Sequence, residues 1–416
     1  MADPDPPFAP RPDPNRARRA ILVFASGLLL ILAIAWWVGS PSSRTTVAAR
    51  SDSVRASRAD YLGSRVCADC HPGEFATHSR SGHARTLQLA ARTEVARRLD
   101  GATFHDPERP GATWSYRLRD AQLTTERREA GEVERFVIDY AFGSGHHATT
   151  FVTLTDRASD SPMMVEHRLT VFAHKDVPDI TPGQDLATDP NRPGMMPSGR
   201  RYGTAMALRC FECHTTVMSD RGPLALDEAT MIPNVGCERC HGPGRAHVQA
   251  ARRGAGEVAL AMPFGVANAT AADELRLCGT CHRLPEMGDR AVIRTDNDWL
   301  VRFQPVGLMQ SACYRQSRGG LSCTSCHDPH ARTSTDLAAY EAVCLSCHRG
   351  PSKTPCGVSP ATGCIACHMP RRDASRGMMM TDHWIRPRPE AAASAPAAVR
   401  EHPIVDQSGA APAVGP

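Results

Sequence analysis

Fourteen of the 16 cysteines in this 416-residue chain stand in one arrangement: two cysteines separated by two residues, with a histidine directly after the second. The copies are Cys67-Cys70-His71, Cys210-Cys213-His214, Cys237-Cys240-His241 and Cys278-Cys281-His282, then Cys323-Cys326-His327, Cys344-Cys347-His348 and Cys364-Cys367-His368. Cys-x-x-Cys by itself has three chemical uses. It ligates zinc, it cycles as a redox dithiol or, with the added histidine, it attaches haem c. In the third use the two thiols add across the two vinyl groups on one porphyrin edge, and the adjacent histidine becomes the proximal iron ligand. Zinc sites do not require that fixed histidine. Seven copies that all keep it point to seven covalently bound haems.

A second axial ligand must come from elsewhere. Eleven histidines lie outside the motifs, enough for seven irons. His330 in "CHDPH" stands three residues after His327, too close to pass around the porphyrin edge to the far face of the same iron. It must serve a neighbouring haem if it ligates iron at all. His247, six residues after His241, reads the same way, with a contorted loop back to its own motif's haem as the alternative. His383 in "TDHWI", His83 in "SGHA" and His147 in "GSGHHATT" complete the leading distal candidates. His78, His146, His167 and His174 form a second group, and His105 and His402 read as ordinary surface residues. Methionine is the other possible distal ligand; Met369 and Met378 to Met380 qualify by position, although methionine more often packs. Cys313 and Cys356 belong to no motif and bracket two of them, which suggests a disulfide in an oxidising compartment.

These groups need elements to position them. "STDLAAYEAVCLSCH" and "ADELRLCGTCH" carry apolar residues at helical spacing into their motifs. "TWSYRL", "RFVIDY", "TTFVTL" and "MVEHRLTVF" read as strands between turns. Aromatic content is only 5%, too little for a large conventional core, and porphyrins would serve as apolar filler. The expected fold is therefore mainly α with much irregular loop: short helices packed on haem, and a small β-hairpin or sheet insertion at about 101–176.

Haem c is attached outside the cytoplasm, and the N-terminus suits export. Ala20 to Val38 is an uncharged, mostly apolar run of 19 residues, close to the ~20 needed to span a bilayer. Arg16, Arg18 and Arg19 precede it, and Trp36 and Trp37 close it. A cleaved signal peptide is the alternative; the run's length and the absence of a clear small-x-small site directly after it favour an uncleaved transmembrane anchor. The expected organisation is a disordered cytoplasmic tail at 1–19, the anchor at 20–38, a linker at 39–60, the haem domain at 61–386 and a disordered tail at 387–416. That places the haem domain in the periplasm of a bacterial inner-membrane, single-pass protein. The formal charge is +4, and two propionates per haem against one net positive iron centre would carry it to about −3. The basic balance is thus no argument for a nucleic-acid partner.

"YLGSRVCADCH…SGHA", "GCERCHGPGRAH", "LSCTSCHDPH" and "CIACHMP…TDHWI" resemble bacterial multihaem cytochromes of the doubled-CxxCH type, related to the tetrahaem cytochrome that receives electrons in hydroxylamine oxidation. The resemblance spans about residues 60–386. It implies closely stacked haems, mostly with two histidine ligands, serving electron transfer, with His83, His247, His330 and His383 as distal ligands. Seven motifs, the β insertion and the anchor depart from the tetrahaem pattern.

Two functions compete, with a third, weaker reading as a membrane-tethered module that docks another complex and whose haems are mainly structural. The first is electron transfer through a chain of haems, with redox partner proteins or quinol-linked membrane donors. The second is a reductase or oxidase of nitrite, hydroxylamine or a sulfur oxyanion, which requires one iron with an open position. No motif departs from the ordinary form, so no catalytic residue is assigned. Cys313, Tyr314 and Arg315 are the nearest thing to a catalytic cluster, and equally a turn beside a disulfide.

Overall fold

The computed structural model describes residues 57–388 except 157–162, 187–193, 222–224, 257–259, 265–268, 289 and 349–361. The chain divides into two units at Ala56 and Ser57, and every described residue belongs to the second. No helix among the described residues is long and apolar enough to cross a membrane. The expected single-pass inner-membrane placement is therefore not retained; the run 20–38 on which it rested lies outside the described residues, as do Cys356 and His402.

The expectation of a mainly α chain with a small β insertion is also corrected. The strands of the two large sheets are β1 (Leu87–Leu89), β2 (Thr103–Asp106), β3 (Arg109–Arg119), β4 (Gln122–Glu129), β5 (Glu132–Ile138) and β6 (Tyr140–Phe142). They continue with β7 (Ala148–Thr155), β8 (Met163–Phe172), β9 (Asp179–Ile180), β10 (Met195–Met196) and β11 (Gly199–Tyr202). Strands β2 to β5 form a four-stranded antiparallel meander. The other seven form a second sheet in the order β1-β6-β7-β8-β11-β10, with β9 paired to β8. The β region thus runs from Leu87 to Tyr202, well beyond 101–176.

The physical reason is that the few aromatics are concentrated here. Along β3 the inward residues alternate as Ala112, Trp114 and Tyr116, the period of a pleated strand. Trp114 and Tyr116 pack with Leu123, Ile138, Phe151, Leu169 and Ile180, which closes one sheet on the other. The opposite face of the seven-stranded sheet buries Leu87, Tyr140, Val152 and Met164 against Ala207, Leu208 and Phe211. Those last three lie on the helix Thr204–His214, whose final turn is the second Cys-x-x-Cys-His motif. This segment builds an ordinary apolar core and fixes a motif helix to it.

A buried ion pair ties the sheets together. Arg168 on β8 is 1% exposed and donates through Nε to Asp106 Oδ2 on β2 at 2.5 Å. Its Nη1 donates to Gln184 O at 2.8 Å and its Nη2 to Glu108 Oε2 at 2.9 Å. Asp106 Oδ1 also accepts the backbone N–H groups of Glu108 and Arg109. Removing one partner would strand the other charge in the interior. Asp106→Ala is expected to lower stability by about 3–5 kcal/mol, read by far-UV circular dichroism in a denaturant titration; a loss below ~1 kcal/mol, the range of exposed pairs, would contradict this role.

Candidate functional site

The motifs are helical turns. Three of them end longer helices, Thr204–His214, Ala271–His282 and Leu337–His348, and two more are short helices in themselves, Cys237–His241 and Cys364–His368. At the first and fifth motifs, His71 N–H donates to Cys67 O at 2.8 Å and His327 N–H to Cys323 O at 3.0 Å, the bond of a helical turn. On such a turn residues i, i+3 and i+4 share one face. Both thiols and the imidazole therefore look the same way. Thr270 starts the fourth motif's helix, its Oγ1 accepting from Asp273 N–H while Asp273 returns a bond to Thr270 N–H.

Four motif histidines each face an imidazole from elsewhere in the chain. Ring centroids are 6.3 Å apart for His71 and His247, 6.3 Å for His83 and His282, 6.1 Å for His241 and His330, and 6.1 Å for His327 and His383. An iron bonded at about 2 Å to a nitrogen of each of two imidazoles separates the ring centres by ~6 Å. The spacing is too wide for ring stacking and fits one metal ion with an imidazole on either side.

Hydrogen bonds leave the right nitrogen free. His83 Nδ1 lies 3.4 Å from Pro329 O, His214 Nδ1 2.8 Å from Thr86 O and His247 Nδ1 2.7 Å from Leu260 O. His282 Nδ1 lies 3.1 Å from Gln304 Oε1, His368 Nδ1 3.1 Å from Arg386 O and His383 Nδ1 3.0 Å from Thr381 O. Holding the Nδ1 proton on an oxygen fixes the tautomer and presents Nε2 as the donor. Burial lowers the pKa of His83, His214, His241 and His327 and pushes His383 down to about 4. These rings are neutral at pH 7, the form that binds metal.

The attachment cysteines of different motifs also meet. The Cys67 thiol lies near enough to Cys237 for each to act on the other's ionisation, as do Cys213 and Cys281, and Cys278 and Cys323. Thr324 binds the Glu274 carboxylate, joining the fifth motif to the helix of the fourth.

Other candidates are placed differently. His147 has its ring 4.7 Å from His146 and faces no motif histidine among the described residues. His167 is a core residue whose Nε2 is taken by Thr153 at 2.9 Å. His174 uses its Nε2 on Arg376 O at 3.2 Å. His78 is buried near His83 and His330, and His105 is exposed on β2. Met378 is buried against Phe172, Val301 and Ala374. His214 has Phe142 as its ring neighbour at 4.9 Å, and no imidazole opposes it among the described residues. Among the described residues no imidazole opposes His348 or His368 either, and His348 directly precedes the segment 349–361, outside the described residues. Cys313, Tyr314 and Arg315 lie on the short helix Ala312–Gln316, with Cys313 near Cys326 and Cys347.

Residues 195–242 match the family model described as cytochrome c554 and c-prime, and residues 317–353 match the doubled CXXCH motif. These segments contain four of the seven motifs. The protein is a multihaem c-type cytochrome. Among solved structures, the outer cell wall cytochrome OcwA is similar at 14% identity and a TM-score of 0.40, over 79% of this chain and 80% of that one. No curated protein matches.

Several residues that hold this cytochrome's ligands carry no motif signal. Glu238, an x residue of the third motif, is 3% exposed. Its carboxylate accepts the N–H groups of Leu62, Gly63 and Gly244, which binds the third motif to the segment leading into the first. Gly307 passes so close to His383 that a Cβ there would lie 2.6 Å from Trp384 N and 2.8 Å from His383 C. Ser311 Oγ donates to His383 O at 3.1 Å and accepts Ile385 N–H at 2.8 Å. Tyr340 Oη lies 3.5 Å from His327 Nδ1. Such contacts become visible only once the chain is folded.

Two predictions follow from the pairing. His330→Ala and His383→Ala should each create one high-spin ferric haem, and the double variant two, by EPR spin count; a single high-spin haem in the double variant would mean that both histidines act on one iron. Gly307→Ala should give the His383→Ala spectrum with His383 still present. An unchanged low-spin spectrum would remove Gly307 from this role.

Proposed function

We propose that the cytochrome carries seven haem c groups, bound through the cysteine pairs of its seven motifs with His71, His214, His241, His282, His327, His348 and His368 as proximal ligands, and passes electrons along them between redox partner proteins. The observation that carries this reading is the set of four imidazole pairs at the width of one iron. It supports His247, His83, His330 and His383 as distal ligands to the haems of the first, fourth, third and fifth motifs. Two imidazoles on an iron make a low-spin centre that changes charge without changing ligands, which suits electron transfer. The cysteine contacts between motifs bring haem edges together, as a conducting chain requires. The resemblance to the electron acceptor of hydroxylamine oxidation supports the same role.

Intact mass after denaturation should exceed the polypeptide by seven haem units; bare polypeptide, or zinc in place of iron, would overturn the reading.

A second reading has one specific observation in its favour. The Cys210 and Cys213 haem has a proximal histidine and no opposing imidazole among the described residues. An open iron there would bind a small ligand and support reduction or oxidation of nitrite, hydroxylamine or a sulfur oxyanion. The geometry points to this haem rather than to Cys313, Tyr314 and Arg315. Carbon monoxide should then change the reduced spectrum, and a titration that leaves it unchanged removes the second reading while the first stands.

A further inference from the structure

Three arginines gather around one carboxylate between the second and fourth motifs. Arg200 on β11 stands directly across from Glu166 on β8. Glu166 Oε2 accepts from Tyr202 Oη at 3.2 Å and from Gln184 Nε2 at 3.0 Å. Arg302 is close enough for its charge to act on Glu166 and on Arg283, and Arg283 and Glu166 both act on the Cys210 thiol. Arg283 directly follows His282, so the cluster touches the attachment regions of two haems.

Each guanidinium is held by a ring face. Arg200 lies 4.8 Å from the Tyr202 centroid, Arg283 4.7 Å from Phe303 and Arg302 4.2 Å from Trp299. Stacking fixes the plane of a guanidinium and leaves its in-plane N–H groups for another partner. That partner is not found among the described residues. Among the described residues none of the three arginines makes a side-chain hydrogen bond or ion pair with a protein acceptor, and Arg200 Nε is buried without an acceptor. Arg200 and Arg302 are half-buried and Arg283 is exposed at the rim, so the single carboxylate faces two partly enclosed cations and a third at their edge. Burial also raises the pKa of Glu166, which weakens its compensation further. Uncompensated enclosed charge is costly, and a planar oxygen anion is the chemistry that matches unpaired guanidinium edges.

We propose that Arg200, Arg283 and Arg302, arranged around Glu166 beside Cys210, form a binding pocket for an anionic oxygen ligand, whether a propionate of an attached haem or a small free oxyanion. The free-oxyanion source rests on the open-iron reading of the Cys210 and Cys213 haem; the propionate source needs only that haems are attached.

The test uses the haem-loaded protein with nitrite as the anionic probe and carbon monoxide as the neutral one. For a free oxyanion, Arg302→Gln and Arg200→Gln each weaken nitrite binding about tenfold, or ~1.4 kcal/mol, and leave carbon monoxide affinity unchanged. Glu166→Gln strengthens nitrite binding, because it removes the one competing negative charge. For a propionate, nitrite and carbon monoxide behave as in the parent protein, but one haem's midpoint potential falls in both arginine variants. Loss of the cation leaves propionate charge free to stabilise ferric iron. Arg302→Lys, which keeps the charge, limits either effect. Unchanged nitrite affinity together with unchanged potentials in both variants overturns the pocket. If the parent protein binds no carbon monoxide, the open-iron reading fails by itself, and the potentials alone decide for or against the pocket.

Discussion

An iron with two imidazole ligands needs them on opposite faces of a rigid porphyrin, and one Cys-x-x-Cys-His turn can supply only one. The rest of the architecture follows from that constraint. His247 arrives at His71 from the helix Arg245–Arg252, which follows the third motif. His83 faces His282 across nearly half of the chain's length, His330 leaves the fifth motif to face His241, and His383 comes back from beyond the seventh motif to face His327. With an iron held between its two rings, each pair would be a crosslink between distant segments, made through a metal rather than a disulfide. Folding and haem attachment are thereby coupled, since the pairs have little else to hold them at an iron's width.

The two sheets answer a different requirement. The helical turns around the motifs are short and carry few aromatics, whereas the β region concentrates Trp114, Tyr116, Phe151 and Phe172 in a dry interior. It stands as a self-sufficient core and offers one outer face to the helix Thr204–His214. His214 is consequently the motif histidine most firmly built into protein: its Nδ1 is fixed on Thr86 O, and its ring rests against Phe142. A haem seated there would be supported by a sheet, and among the described residues no second imidazole opposes its histidine, in contrast to those of the first, third, fourth and fifth motifs. The arginine cluster around Glu166 grows from the same sheet, so the unusual haem and the unusual charge share one scaffold.

How much of this was legible beforehand depends on the range of each signal. The seven motifs and their proximal histidines are local, and spacing alone makes them readable. The argument that His330 cannot serve its own motif's iron is local too, because three residues cannot round a porphyrin, and the structure sets its ring opposite His241. His147 shows the limit. It looks as suitable as His83 in sequence, yet it sits beside His146, while His83 meets His282. The extent of the β region was underread because low average aromatic content says nothing of where the aromatics cluster. Glu238, Gly307 and Ser311 had no signal, since their roles are contacts with backbone far away in the chain.

Residue type and spacing therefore determined the chemistry: thiol pairs, an imidazole one position on, and enough further histidines to complete most irons. Tertiary structure decided which imidazole faces which, where the apolar core lies, and which motif histidines have no opposing imidazole among the described residues. The physical reason is the range of the forces involved. Covalent attachment needs groups within one helical turn, which sequence order guarantees. Axial pairing needs two rings brought from opposite directions to within about 6 Å, and only the packing of the whole chain can arrange that.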